Sequence, residues 1–299
     1  YLAPLSLAQG NLRFAKKIKL FGVAGFHYFS PRLVVRELTK AYHRLGMHSE
    51  ISCGMVKLRK IRPGPVSAYD LALWLDHPDH VGEVIKQVLP QLEQEERIGF
   101  PAILGLGNHR QVLTRIEKET GKKVFEIPTV PPSVPGIRLH QHLFMMMRKK
   151  GIDCIIGYPA AGAEINGDRI SSVRVNVPGK NITFSGKKYI LAAGGLGSEG
   201  LVAGPGWIKE PLFNLPVYND QEVGRWSTSK LLEEQPYACF GLRVDEKMHP
   251  LDAEGHICLE NLHAAGSIIA YFDGVAERST GGVDIATGFM AGKECGGEV

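Results

Sequence analysis

Two glycine-rich constellations in the second half of the chain carry the residue types most suited to holding a ligand through bare backbone. The first is Gly195-Leu196-Gly197-Ser198-Glu199-Gly200, a literal G-x-G-x-x-G that follows the apolar run Tyr189–Ala193. Such glycines let a main chain approach a pyrophosphate. A dinucleotide turn of this kind also needs a helix N-terminus to offset the phosphate charge. Here Ala203-Gly204-Pro205-Gly206 breaks the chain at once, so the expectation is a glycine loop after a strand rather than a nicotinamide site. The second constellation runs from Asn261-Leu262-His263-Ala264-Ala265-Gly266-Ser267 through Asp273 and Arg278 to Ser279-Thr280-Gly281-Gly282-Val283. Its pattern predicts a strand, a glycine turn, a loop, a double glycine and a helix start. A helix N-terminus offers free N–H groups and partial positive charge. Gly281 and Gly282 remove the side chains that would keep a planar, electron-accepting ring from laying its carbonyl edge there. A last helix whose first turn simply needs glycine at positive φ explains the same residues equally well.

Other side chains are weighed in the same way. Arg138 begins a helix behind a rigid proline connector, where a guanidinium can meet a phosphate or a ring carbonyl bidentately; a surface salt bridge is the plainer reading. Asp273 and Arg278 stand on the loop opposite the ring position and are the polar candidates there. His140 and His142 are two apart on a helix, face different sides and do not share a metal. Met145-Met146-Met147 reads as core filling. His249 and His256 read as loop histidines, and Trp207 and Trp226 suit either a ring cover or an interface. Five cysteines, Cys53, Cys154, Cys239, Cys258 and Cys295, are odd in number and widely spaced. That pattern disfavours a disulfide framework or a zinc ribbon and supplies no run of thiolates for an iron–sulfur cluster. Free thiols in a reducing cytoplasm are expected, and no metal site.

The elements that must position these residues follow from periodicity. Lys17–Ala24, Met47–Cys53, Pro101–Leu106 and Lys122–Ile127 read as strands. Pro31–Leu45, Ala68–Leu75, Asp79–Glu96 and Asn108–Thr120 read as helices, with Ser30 as N-cap and Pro90 splitting the third. Arg62-Pro63-Gly64-Pro65 reads as a turn. This alternation predicts a parallel sheet layered with helices. The connector Pro128–Pro135 holds four prolines, and a helix over Ile137–Lys150 follows. Short strands at 152–156, 162–166, 170–177, 181–184 and 188–192, with turns between, predict an antiparallel meander. Residues 194–216 read as loop, 237–263 as further short strands, and 283–293 as a final helix.

Composition bounds the function. The 299 residues are 44% hydrophobic and 22% charged, which is ordinary globular usage. The net charge, +4, is too weak and dispersed to argue for nucleic acid. Glycine is the deviation: 35 of 299, about 12% against a usual ~7%. No stretch approaches the ~20 apolar residues of a membrane span, and the N-terminal segment lacks the charged start of a signal peptide.

The segment ENLHAAGSIIAYFDGVAERSTGGVDIATGFMAGK (260–293) resembles the C-terminal flavin-binding signature of the fumarate reductase/succinate dehydrogenase-type flavoproteins, and KKYILAAGG (187–195) resembles their second signature. More specifically, VFEIPTVPPSVPGIRLHQHL (124–143) and LAAGGLGSEGLV (191–202) resemble the B-subunit family of anaerobic glycerol-3-phosphate dehydrogenases. The resemblance runs from about Ala15 to the C-terminus. It implies an α/β fold: an FAD/NAD(P)-binding-type flavoprotein core with an antiparallel meander, plus a βαβ-type layered second domain. The expected division is an N-terminal segment (1–16), an α/β substrate or cap domain (17–130) and a flavin-binding domain (131–299). It further implies a flavin, FMN or FAD, contacted by Gly194, Gly195, Ala265, Gly266, Ser267, Gly281, Gly282 and Val283, with Arg138, Asp273 and Arg278 as catalytic candidates. The implied activity is oxidation of sn-glycerol 3-phosphate to dihydroxyacetone phosphate. The implied partners are a catalytic dehydrogenase subunit and an iron–sulfur membrane-anchor subunit, which would hold this chain at the inner face of the cell membrane. Two departures stand out. Nothing before Lys16 matches the strand and G-x-G-x-x-G turn that open family members, and Ser267 replaces a frequent acidic residue. A scaffold subunit without flavin, and a flavin enzyme for another small substrate, are the rival readings.

Overall fold

The structure, a computed structural model, describes residues 5–8, 10, 15–58, 66–230 and 233–296. The expected turn at Arg62–Pro65 lies outside the described residues. The chain divides into two compact units, Ala3–Cys154 and Ile155–Val299.

In chain order the first unit contains α1 (Leu5–Ala8), β1 (Lys17–Val23), α2 (Pro31–Arg44), β2 (Glu50–Val56), α3 (Ala68–Leu75), α4 (Pro78–Val88), β3 (Arg97–Pro101), α5 (His109–Thr120), β4 (Lys123–Ile127) and α6 (Val134–Lys149). The four strands form one parallel sheet in the order β2-β1-β3-β4. A parallel sheet is covered on both faces, so its strands read as nearly continuous apolar runs. Accordingly, β1 sends Ile18 and Leu20 into one core with Tyr42 and Phe125, and Phe21 and Val23 into the other with Leu71, Ile85 and Phe100. Local signals set the ends of the helices. Ser67 and Asp70 form a reciprocal capping box at the start of α3. Pro90 turns the chain out of α4 into a short 3₁₀ turn, Leu89–Gln91. Gly121, at φ +68°, ends α5. Ser30 holds the N-cap position of α2 but makes no side-chain cap bond.

Three expectations are corrected in this unit. The strand expected at 101–106 lies at Arg97–Pro101 instead. Ile103 and Leu104 are buried, but the Leu104 and Leu106 N–H groups bond to the carboxylates of Glu126 and Asp76 rather than to a neighbouring strand. The second strand is shifted to Glu50–Val56, where every residue from Lys17 to Val23 finds a partner. The helix after the proline connector belongs to this unit and not to the one that follows, because Val134 is buried in its core and Arg138 is tied to Glu126. The division therefore falls at Cys154/Ile155, not after residue 130.

The second unit holds β5 (Ala160–Asn166), β6 (Arg169–Val177), β7 (Lys180–Phe184), β8 (Tyr189–Leu191), β9 (Val202–Gly204), β10 (Trp207–Lys209), β11 (Arg243–Val244), β12 (Pro250–Leu251), β13 (Leu262–Ala264) and α7 (Thr280–Gly296). β5, β6 and β7 form a three-stranded antiparallel sheet, turned by Gly167 and Gly179 at positive φ. The strand expected to extend it at 188–192 does not join. As β8, it pairs in parallel with β13, and the two send Leu191, Leu262 and Ala264 into a core with Leu201, Leu242 and Ile268. The strand expected at 152–156 does not form. The expected loop 194–216 contains the small hairpin β9–β10, closed by Gly206. Asn261, buried ahead of β13, joins the two sheets. Its side chain accepts from the Ile170 N–H at 2.8 Å and donates to the Ile170 carbonyl at 2.9 Å.

Candidate functional site

The parallel pairing of β8 with β13 delivers two glycine turns to the same end of one small sheet. Gly194 follows β8 at φ +81° and Gly266 follows β13 at φ +78°. Neither conformation suits a residue with a Cβ. The two turns touch through backbone: a Cβ on Gly195 would stand 2.6 Å from the Ser267 carbonyl oxygen. From the other side, a Cβ on Gly241 would stand 2.6 Å from the carbonyl oxygens of Ile268 and Ile269. The Ser267–Ile269 segment is thus held between two bare main chains. Gly200 is equally closed, since a Cβ there would strike the Gly194 carbonyl.

Helix α7 starts beside these turns. The Gly266 N–H donates to Thr287 Oγ1 at 2.8 Å, which links the turn to the second turn of the helix. The first intrahelical bond runs from the Val283 N–H to the Ser279 carbonyl at 2.9 Å. The N–H groups of Thr280, Gly281 and Gly282 therefore precede the ladder, as at any helix start. The loop before the helix is organised by Asp273, whose Oδ1 accepts from the Val275 and Ala276 N–H groups at 2.9 and 3.0 Å.

Between these pieces lies a cleft of about 230 Å³. Its glycine side is the stretch Gly195–Ser198 with Ser267, its aromatic side includes Phe240 and Phe272, and Asp273 and Thr280 supply polar groups. No lysine, arginine or histidine is among its described lining residues. Phe240 is backed by Trp226 in an edge-to-face contact at 6.0 Å. The neighbouring Cys239 thiol is pushed above its usual range by burial and then by the negative charge of Asp273, Glu277 and Glu234, so it stays neutral and a poor nucleophile.

The structure places Gly195, Ser267 and Asp273 in the lining of this cleft, with Gly194 and Gly266 next to it in the same two turns but not in the lining. It treats the other candidates differently. Ala265 is buried, and its N–H donates to the Leu191 carbonyl at 3.0 Å, so it serves the sheet. Gly281, Gly282 and Val283 form the first turn of α7, but Thr280 is the residue of that turn in the lining. Arg278 is exposed at φ +56° and does not line the cleft. Arg138 belongs to the first unit, where it holds Glu126 bidentately at 2.6 and 3.0 Å and donates to the Gly105 carbonyl at 2.8 Å. Its donors serve an internal ion pair. Met145, Met146 and Met147 are exposed instead of filling a core. His249 and His256 are held by Asp245 and Asp252 within two similar turns. The G-x-G-x-x-G contains a 3₁₀ turn, Leu196–Ser198, and is followed by β9 rather than by a helix. Sequence reasoning misses Ser198, Phe240, Gly241, Phe272 and Thr280. Ser198, inside the Gly195–Gly200 motif, Phe272, adjacent to Asp273, and Thr280, adjacent to Gly281, have neighbours that point to them; Phe240 and Gly241 have none.

Comparison with known proteins gives a consistent result. The 197 residues that match the probable B subunit of the anaerobic glycerol-3-phosphate dehydrogenase of Halobacterium salinarum are 34% identical to it; they make up 66% of this chain and 46% of that protein. The B subunit of the anaerobic glycerol-3-phosphate dehydrogenase of Pasteurella multocida is 27% identical over 95% of this chain and 67% of its own length, and that of Vibrio vulnificus strain YJ016 is 28% identical over 92% and 64%. The chain thus spans from about half to two thirds of the length of these relatives. No solved structure matches it. The family described as FAD binding domain matches residues 15–283. With nearly the whole chain inside that match, the protein belongs to the FAD binding domain family, whose cofactor is a flavin.

Proposed function

We propose that this chain is the flavin-carrying subunit of an anaerobic glycerol-3-phosphate dehydrogenase, a complex that oxidises sn-glycerol 3-phosphate to dihydroxyacetone phosphate. The observation that carries the reading is the backbone contact between the Gly195 and Ser267 turns, too close to admit a Cβ at Gly195. Together with the aromatic side of the cleft, it suits the edge of a flat ring. At about 230 Å³, the cleft lies below the roughly 300–1,000 Å³ of sites that enclose a drug-sized ligand, which favours the ring over a whole dinucleotide. A bound flavin supplies a two-electron acceptor that can release its electrons singly.

The protein's own part is to hold and orient. The turns at Gly194-Gly195 and Gly266-Ser267 would supply close backbone. Thr280 and the N–H groups at the start of α7 would face the carbonyl edge. Asp273 would keep the loop in place while its second oxygen receives a donor. Arg278, on the same loop, is the nearest candidate for a substrate anion. The spacing of the five cysteines offers no cluster site, which supports onward transfer to an iron–sulfur partner and from there to a quinone. Among the described residues no helix is long and apolar enough to cross a membrane, and attachment to the inner face of the membrane is assigned to a partner subunit.

The purified protein is expected to be yellow, with flavin absorbance, and to support dye reduction by glycerol 3-phosphate once joined to its dehydrogenase partner. A colourless protein that takes up neither FMN nor FAD would overturn the flavin role. A yellow protein whose assembled complex ignores glycerol 3-phosphate would overturn only the substrate.

A further inference from the structure

Helix α6 is packed at one end only. Of its sixteen residues, Val134 alone is fully buried, and the partly buried Ile137 and Arg138 complete its attachment. From Leu139 onward every residue of the helix except the half-buried Phe144 is exposed. Leu139, Leu143 and Met146 are spaced four and three apart and so share one face, and that face differs from the one carrying Val134 and Arg138. Their exposures are 60%, 49% and 45%. The helix ends in a Schellman turn. The Ile152 N–H donates to the Met147 carbonyl at 3.1 Å and the Gly151 N–H to the Arg148 carbonyl at 3.0 Å. This folds Ile152, 49% exposed, back over the last turn.

The charge on this stretch has one sign. Residues 134–152 contain no aspartate or glutamate, and Arg148, Lys149 and Lys150 stand together at the free end. The helix macrodipole accounts for basic residues at a C-terminus, but not for an open apolar stripe leading up to them. Apolar side chains along one face and three cations beside them, against the single exposed acid Asp153 just past the turn, are what a helix lying in a lipid headgroup layer requires. Each Lys or Arg near an anionic surface adds to that attraction. We propose that the exposed end of α6 is a docking surface for an anionic phospholipid bilayer. The inference is independent of the flavin reading and adds a lipid contact of this chain's own to the attachment proposed through a partner subunit.

The test is vesicle co-sedimentation of the purified 299-residue chain. Vesicles made of equal parts phosphatidylglycerol and phosphatidylcholine should carry the protein down at low ionic strength, and phosphatidylcholine alone should not. Replacing all three basic residues (R148A/K149A/K150A) should weaken partitioning by about a hundredfold. The variant L139S/L143S/M146S should lose binding while its circular dichroism and melting stay as in the parent. Absence of binding to the mixed vesicles, equal binding to both vesicle types, or full binding by the stripe variant would overturn the proposal. So would a dimer in solution that the stripe variant dissolves, since that would make the face a self-interface.

Discussion

One strand-to-helix region in each unit gathers main-chain amides, and the two end differently. In the first, the loop between β3 and α5 gathers the N–H groups of Leu106, Gly107 and Asn108, and the Asp76 carboxylate accepts all three at 2.8–2.9 Å. On β4, Glu126 accepts from the Leu104 N–H, the Ser6 hydroxyl and both arms of Arg138. A strand-to-helix loop at the carboxyl end of a parallel sheet is a usual ligand seat, and here the protein's own acids sit in it. In the second unit the strands β8 and β13 also lead into glycine turns beside a helix start, but the side chains that would fill the space are absent. The same backbone grammar serves stability in one place and leaves a cleft in the other.

The largest expected effect comes from breaking the closed seat. Glu126→Ala leaves the Arg138 guanidinium buried without its partner and should cost about 3–5 kcal/mol, read as a lowered urea midpoint. Protein that remains folded should still take up flavin. Next is the open cleft. Gly195→Val places a side chain against the Ser267 carbonyl and should weaken flavin uptake more than tenfold in a fluorescence titration, with a loss of stability of about 1–3 kcal/mol. Equal flavin affinity in this variant would remove the cleft from consideration. Asp76→Ala frees three N–H groups and the start of α5 and should cost about 1–2 kcal/mol with flavin uptake unchanged; a fall in flavin affinity would mean that the two units are not separate in function. The smallest effect is at Asp245. Burial pulls its carboxyl up, but hydrogen bonds from the His249 side chain and backbone outweigh this and hold it below the usual range. Its folded value thus lies under an unfolded value near ~3.9. The contribution is complete above that pH and is lost as the pH falls through the folded value. Asp245→Asn should remove about 1 kcal/mol or less at neutral pH and flatten the acid limb of the stability curve.

Elements dominated by local signals are legible in the sequence. Ala68–Leu75 is expected and found with the same bounds because a capping box starts it and its apolar spacing is helical. The alternation of strands and helices before residue 128 yields the parallel sheet. What is not legible depends on partners distant along the chain. The buried run 101–106 looks like a strand, yet its amides are claimed by acids elsewhere. The apolar Tyr189–Leu191 reads as the next strand of a meander, and only its pairing with a segment about seventy residues on moves it to another sheet. At the site, the Gly194-Gly195 pair and the Ala-Ala-Gly pattern point to the two turns that reach the cleft, while the Gly281-Gly282 pair is not in its lining. Gly241 stands alone between Phe240 and Leu242 and gives no local sign that it presses on Ile268. Arg138 draws notice for what a guanidinium can grip, and sequence does not reveal that its grip is taken by Glu126.

Asn261 sets a limit on how the cleft can vary. A carboxamide presents a donor group and an acceptor in one plane, so it stands in for a peptide group and continues the ladder of β6 where the chain itself does not. Aspartate lacks the donor, leucine lacks both functions, and glutamine sets the plane a methylene too far out. This amide side chain therefore acts as a pin between the antiparallel sheet and the strand that leads into the Gly266 turn, beside the Glu260 N–H on the Asp168 carbonyl and the Tyr189 hydroxyl on the Ser171 carbonyl, and its loss would loosen the turn it now steadies.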